Sequence, residues 1–337
     1  MAIDLDTFLV ALYTIVDDLY QQRPGLRPPG RPGARPTVAD SEILTLALCA
    51  QWWGRSERAF LRYARAHWRA YFPRFLSQSA YNRRCRALAE QLVALVPLVA
   101  RDLRAAGAAY EVMDTVAVPL LRRCRGQRQR LFGAIAAIGR GGSDKEWYYG
   151  CKLLVAVTPT GVVTGFVVAP ANTEERWVAD ALLGWRADPH APSLQVADLP
   201  SPRRSNGRPY VGPTGPRWPP QGVGTPGRGE YLADKGFWGR WWQQHWRQDY
   251  GAALTTPKDY PGSAAAPARR QHRRRCQIVE TINSQLIRSF GLHFPGARSP
   301  RGLLTRLAAK LAAVNLGHCL NQLFGRPALA FATLFVG

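Results

Sequence analysis

Three carboxylates stand out by residue type and by setting. Asp114 closes the apolar run 108–113, Asp234 closes the short run that starts at Tyr231 and leads into Lys-Gly-Phe237, and Glu280 lies in an amphipathic stretch near the C-terminus. An acid at the carboxyl end of a strand faces the lip of a sheet, where open α/β folds build their sites. Hard oxygen donors from two strand ends and one helix suit divalent cations, and two such ions about 3.5–4 Å apart can hold attacking and leaving oxygens in line. Val279, Ile282, Leu286 and Phe290 form one apolar stripe, and Glu280 stands roughly 100° round from it, at the edge of the buried face. Each acid alone reads as a cap or a solvated side chain. The set, in this order on these elements, points to a cation site. Asp198, at the end of Leu194-Gln-Val-Ala, rivals Asp234, but Pro200 and Pro202 forbid an immediate helix there, whereas Gly236 and a tryptophan-rich helical stretch follow Asp234. Asp144 and Glu175 rank below these.

Positioning such acids requires a sheet with helices packed on it. After Gly107 short apolar runs bounded by turn residues predict strands over 108–113, 147–158 and 161–169, then a helix over 173–185 with an acidic first turn. A strand to Asp234, a helix over 237–248, a strand over 252–256, a basic loop over 269–275 and a helix over 277–290 follow. The order β-β-β-α-β-α-β-α predicts an α/β fold, a mixed sheet with helices on both faces. Residues 200–229, rich in Pro, Gly, Ser and Arg, read as an irregular insertion.

Upstream, residues 1–105 read as all-helical, with segments over 5–21, 37–53 (Thr37 as N-cap), 57–71 and 81–104, and a basic Pro/Gly loop over 23–36. Arg83, Arg84 and Arg86 crowd the first turns of the last segment, as in a DNA recognition helix or as a solvated basic face. Helical segments over 301–315 and 316–323 predict a C-terminal cap. The expected domains are 1–105, helical and DNA-binding, 106–300, carrying the acids, and 301–337.

The 337 residues hold 45 Lys+Arg against 23 Asp+Glu, a net charge of +22, which favours a polyanionic partner, most commonly nucleic acid. No apolar run approaches the about twenty residues of a membrane span. The acidic N-terminus lacks a signal peptide's basic region, so a cytoplasmic, nucleoid-associated location is expected. Six scattered cysteines with no C-x-x-C pair argue against a zinc knuckle or a disulfide framework. Trp238, Trp241, Trp242 and Trp246 read as sheet packing ahead of base stacking, and His272, amid the arginines of 269–275, as part of a phosphate-facing basic run.

Several motifs carry a resemblance: Glu-Val-Met-Asp114-Thr, Tyr-Gly-Cys-Lys152-Leu, Leu-Ala-Asp234-Lys235-Gly-Phe and Val-Glu280-Thr-Ile-Asn-Ser-Gln-Leu, preceded by Asp-Ser41-Glu-Ile-Leu-Thr-Leu and Gln-Ser79-Ala-Tyr-Asn-Arg83-Arg84. In this order, over most of its length, the chain resembles the DDE-type transposases of bacterial insertion sequences. The resemblance implies a ribonuclease H-like catalytic domain in which Asp114, Asp234 and Glu280 bind two Mg²⁺ (or Mn²⁺) ions for DNA strand cleavage and transfer. Its implied partners are double-stranded DNA, both element ends and target, and further copies of the chain in a homodimer or higher oligomer. Lys152, Lys235, Arg273, Arg274, Arg275 and Arg288 join the three N-terminal arginines as expected DNA contacts. The family often places Tyr and Arg before the glutamate and Lys seven residues after it, where this chain has Arg273, Cys276 and Ile287, with Arg275 and Arg288 one position off. A nuclease of the same fold that cuts without joining, and a basic nucleic-acid-binding protein whose acids are structural, remain the alternatives.

Overall fold

A computed structural model describes residues 3–22, 36–54, 56–126, 132, 135–141, 146–188 and 229–336. Residues 23–35 of the expected basic loop, Asp144, Asp198 and residues 200–228 of the expected insertion lie outside them. Contacts divide the chain into two units, Met1–Val99 with Ser284–Gly337 and Ala100–Asn283. The first unit thus joins the C-terminal residues from 284 onward to the N-terminal helices, where the sequence suggests three consecutive segments.

The N-terminal helices begin where a side chain satisfies their free N–H groups. After the two-residue strand β1 (Ile3–Asp4), the Asp4 carboxylate accepts from Thr7 N–H and starts α1 (Leu5–Gln21), which buries Phe8, Leu9, Leu12, Val16 and Leu19 at helical spacing. The next helix, α2 (Asp40–Trp53), starts after Ala39 rather than at Thr37, because Glu42 reaches back to the Ala39 N–H. Ser56 and Ser77 cap α3 (Glu57–His67) and α4 (Gln78–Ala87). The single helix expected over 81–104 is two, α4 and α5 (Ala89–Asp102): Leu88 leaves helical geometry while its side chain stays buried.

In the second unit β2 (Glu111–Arg122), α6 (Arg123–Gly126), β3 (Ala137–Gly141), β4 (Glu146–Val157), β5 (Val163–Pro170) and α7 (Glu175–Ala187) precede β6 (Glu230–Ala233). A 3-10 turn (Lys235–Phe237), α8 (Arg240–Tyr250), β7 (Ala253–Thr255) and α9 (Ala266–Arg288) complete it. The sheet order is β3-β4-β2-β6-β7, and β5 also pairs with β4. The β2/β4, β3/β4 and β4/β5 pairs are antiparallel, and β2/β6 and β6/β7 are parallel. This is the mixed α/β arrangement expected, a mixed sheet flanked by helices.

Three local expectations fail for reasons of pairing and propensity. β2 runs past Asp114 to Arg122, because β4 pairs with it almost throughout. The strand β3, with two glycines in five residues, carries no strand signal. Residues 269–275 are helix rather than loop, since arginine is a good helix former and α9 is already under way at Ala266.

Where β2 passes Pro119 the register shifts, which lets a proline sit inside the sheet. Its partner Gly150 leaves room for only a hydrogen, for a Cβ there would collide with the Val118 carbonyl. Gly150→Ala is therefore expected to lower stability by about 1–3 kcal/mol, read as a fall in the thermal unfolding midpoint.

Helices α7 and α8 cover one core that contains Met113, Leu154, Val167, Trp177, Leu182, Phe237, Trp242 and Trp246. Asp180 of α7 meets His245 Nε2 at 3.0 Å and accepts from Trp246 Nε1 at 3.1 Å, tying the two helices together. Trp242 and Trp246 are buried, as packing requires, while Trp238 and Trp241 are only partly covered.

Returning to the first unit, α10 (Pro300–Leu323) is one helix rather than the two expected. It is buried on nearly every side and packs against α1, α2 and α4, as an all-round apolar helix must. The final strand, β8 (Phe335–Val336), pairs in parallel with β1. Among the described residues no helix is long and apolar enough to cross a membrane.

Candidate functional site

Parallel pairing brings the first two acids together. Met113 of β2 lies opposite Ala233 of β6, the last pair of that ladder, so Asp114 and Asp234 are the next residues on adjacent strands. Neighbouring strands run about 4.8 Å apart. Asp234 leaves the sheet and its carboxylate accepts from Gly236 N–H at 2.7 Å, which starts the 3-10 turn. Asp114 stays in β2 opposite Val155 of β4. One of its oxygens accepts from Thr115 N–H at 2.7 Å and the other from Asn283 Nδ2 at 3.0 Å.

That amide brings α9 to the site. Cys276, Glu280 and Asn283 fall at i, i+4 and i+7 on one helix face. Burial pushes the Asp114 carboxyl up to about 7, the Thr115 N–H opposes the rise, and the charges of Asp234, Glu175 and Glu280 add to it. The Cys276 thiol is pushed up to about 12, first by burial and then by Asp114, Glu280 and Asp234. Two groups on different elements thus register the same acids, as neighbours of one another must.

Asp114 makes the protein's stability depend on pH. Its folded pKa is raised, so between about 4 and 7 the folded state holds the proton more tightly than the unfolded chain, and stability falls as pH rises through that window. Every tenfold gain in proton affinity on folding is worth about 1.4 kcal/mol. In metal-free buffer, Asp114→Asn should flatten the decline of the urea midpoint between pH 4 and 7. A decline of unchanged slope in the variant would remove Asp114 as its source.

Glu175 ranks low in the sequence, yet it stands at this site. It begins α7, and one of its carboxylate oxygens accepts from Thr115 Oγ1 at 2.9 Å. A side chain on Gly236 would collide with its other oxygen and stand 2.9 Å from Asp234 Oδ1. The only signal in the sequence is an acid in a helix's first turn after a strand, which the helix dipole alone explains.

The basic residues separate into exposed and engaged groups. Arg83, Lys235, Arg273, Arg274, Arg275 and Arg288 are exposed, and the Arg275 guanidinium lies over the Tyr110 ring at 5.1 Å. Arg84 is ion-paired with Asp40 at 2.5 Å, and Arg86, partly covered, accepts from Arg301 through its carbonyl. Lys152 donates to Thr173 O at 2.9 Å and so holds the turn that leads into Glu175. His272 is not phosphate-facing: it is buried, with Nε2 2.9 Å from the Ala233 carbonyl, one residue before Asp234.

The donors match divalent cations in kind and charge. Four carboxylates from β2, the β6 end, α7 and α9 share a neighbourhood in which, among the described residues, none is ion-paired to Lys or Arg. Beside them the buried Asn283 Oδ1 has no hydrogen-bond partner. Among the described residues no group of three or more His, Cys, Asp or Glu side chains is set closely enough to hold a metal ion as it stands. Compared with known proteins, the chain matches no family model, no curated protein and no solved structure.

Proposed function

We propose that this chain is a DDE-type transposase, which cleaves DNA strands at element ends and transfers them into target DNA, with Asp114, Asp234 and Glu280 as its acids. The observation that supports this is the adjacency of Asp114 and Asp234 just beyond the end of the β2/β6 ladder, with α9, the helix that carries Glu280, tied to Asp114 through Asn283. The central position of β2, with antiparallel β4 on one side and parallel β6 and β7 on the other, supports a ribonuclease H-like reading of the sheet. Divalent ions held by the three acids would stabilise charge building on a phosphodiester, and no covalent protein intermediate is needed.

The chain's own residues do the rest. Asn283 orients Asp114, and Thr115 N–H holds its other oxygen. Arg273 lies seven residues before Glu280, on the same face of α9, and presents an exposed cation to a phosphate backbone. The net charge of +22 supplies the long-range attraction.

The test is incubation of the full chain with Mg²⁺ and DNA carrying the element's own ends. Strand breaks at those ends followed by joined products are expected. Breaks without joining would favour a nuclease of the same fold, and no Mg²⁺-dependent break would leave the basic nucleic-acid-binding alternative. In the same preparation, Arg273→Ala/Arg274→Ala should weaken DNA binding at every sequence and flatten the plot of log affinity against log salt by up to about two phosphate contacts. An unchanged slope would remove these arginines from the interface.

A further inference from the structure

We infer that the exposed indole of Trp147 and the arginines around it form a platform on which unpaired bases of a DNA strand stack. The inference rests on the DNA-binding reading proposed above, but on none of its metal chemistry.

Strand pairing explains why this ring is bare. The β2/β4 ladder ends with Arg122 opposite Tyr148, so Trp147 lies one residue past the end of β2, and its paired neighbour is Arg140 of β3. Trp147 is 52% exposed, and among the described tryptophans it alone is exposed. Tryptophan is highly buried on average, so a half-bare indole set among cations marks a surface built for a partner.

The cations gather on one face of the sheet. Residues directly opposite in a ladder share a face, which puts Arg140 beside Trp147, and Tyr149, two residues on, faces the same way. Helix α6 lies against that face: Gly126 comes so close to Tyr149 that a Cβ would collide with its side chain. From the start of α6 the Arg123 guanidinium reaches over the Trp147 ring, 5.2 Å from its centroid. Arg122 and Arg125 are exposed as well, and among the described residues no carboxylate pairs with Arg122, Arg123 or Arg125. Glu146, next to Trp147 in β4, points to the opposite face.

This set supplies what an unpaired strand needs. Every base has a π-face, so an exposed indole accepts any base without reading its identity, while the guanidinium groups beside it hold phosphates. A duplex keeps its bases inside the stack and would meet the arginines but not the ring. The platform is also separate from the acids. Arg122 follows Asp114 on β2 by eight residues, about 26 Å at about 3.3 Å per residue. DNA held at both places would span roughly eight nucleotide steps.

Fluorescence anisotropy of the full chain, with labelled oligothymidine and a blunt duplex of equal length, tests the platform. Trp147→Ala should weaken single-strand binding about fivefold or more, the size of one lost base stack, and change duplex affinity less than about twofold. Trp147→Phe, which keeps an aromatic face, should recover most of the loss. Arg122→Ala/Arg125→Ala should instead flatten the plot of log single-strand affinity against log salt, by about 0.7 per lost phosphate contact. For the wild type, an abasic strand of equal length should bind as weakly as oligothymidine binds Trp147→Ala, a comparison independent of any variant's folding. A single-strand loss below fivefold, equal losses on strand and duplex, or an abasic strand that binds as well as oligothymidine would overturn the platform and leave the proposed function standing. Wild-type protein that binds neither DNA would overturn both.

Discussion

Asp234→Asn is expected to reduce Mg²⁺-dependent DNA strand cleavage on the order of 10²–10³-fold or more while leaving DNA affinity at least as high as that of the wild type. The rate loss follows from the place of this acid. It is the first residue beyond β6, beside Asp114 on the neighbouring strand, and its carboxylate is turned by the Gly236 N–H. Removing one preorganised electrostatic group from a reacting centre typically costs a factor of that size. Unweakened binding follows because phosphate contacts come from cations, and replacing an acid by an amide lowers repulsion of the DNA. Single-turnover cleavage of end-containing DNA, with a filter-binding or anisotropy titration alongside, checks both halves. Cleavage at the wild-type rate would dismiss Asp234 from the site, and rate and affinity falling together would indicate a folding defect.

Glu111→Ala should be the most damaging substitution for stability, at about 3–5 kcal/mol. Glu111 and Arg186 form an ion pair of 2.5 Å with side chains only 1% and 3% exposed. Arg186 also donates to Tyr231 Oη at 3.1 Å and to Thr164 Oγ1 at 2.9 Å, and Thr164 donates back to Glu111. Removing the acid strands a guanidinium where water does not reach. The network joins β2, β5, β6 and α7, so it also sets the strand that carries Asp114 and the helix that begins with Glu175. Cleavage should fall with stability. Urea unfolding followed by tryptophan fluorescence measures the first effect. The double variant Glu111→Leu/Arg186→Met is expected to lose less than the two single changes together, because no charge is left buried alone.

The positions of Asp234 and Glu280 on their elements are legible in sequence because the cues are local. An apolar run ending in an acid and a glycine turn defines Asp234, and helical periodicity places Glu280 at the edge of a buried face. Asp114 stands out for a reason that only partly holds: it is the first residue past the parallel ladder with β6, but it does not end its own strand, which β4 extends to Arg122. Glu175 gives no comparable cue. Its contacts are to Thr115, 60 residues earlier in the chain, and to the backbone of Gly236.

The basic residues show the same division. Composition establishes the large positive charge, but not which cations remain available. Arg84 is spent on Asp40, Lys152 on a turn carbonyl and His272 on the Ala233 carbonyl.

Local sequence suffices for the mixed α/β class, the order of most elements, and the placing of Asp234 at a strand end and Glu280 within a helix, because turn residues and apolar periodicity act within a few residues. Folding in three dimensions was needed to set how far β2 extends, to bring Glu175 to Thr115, and to bring Asn283 to Asp114 169 residues away. Strand pairing and carboxylate repulsion depend on which distant segments become neighbours, and no local pattern encodes that.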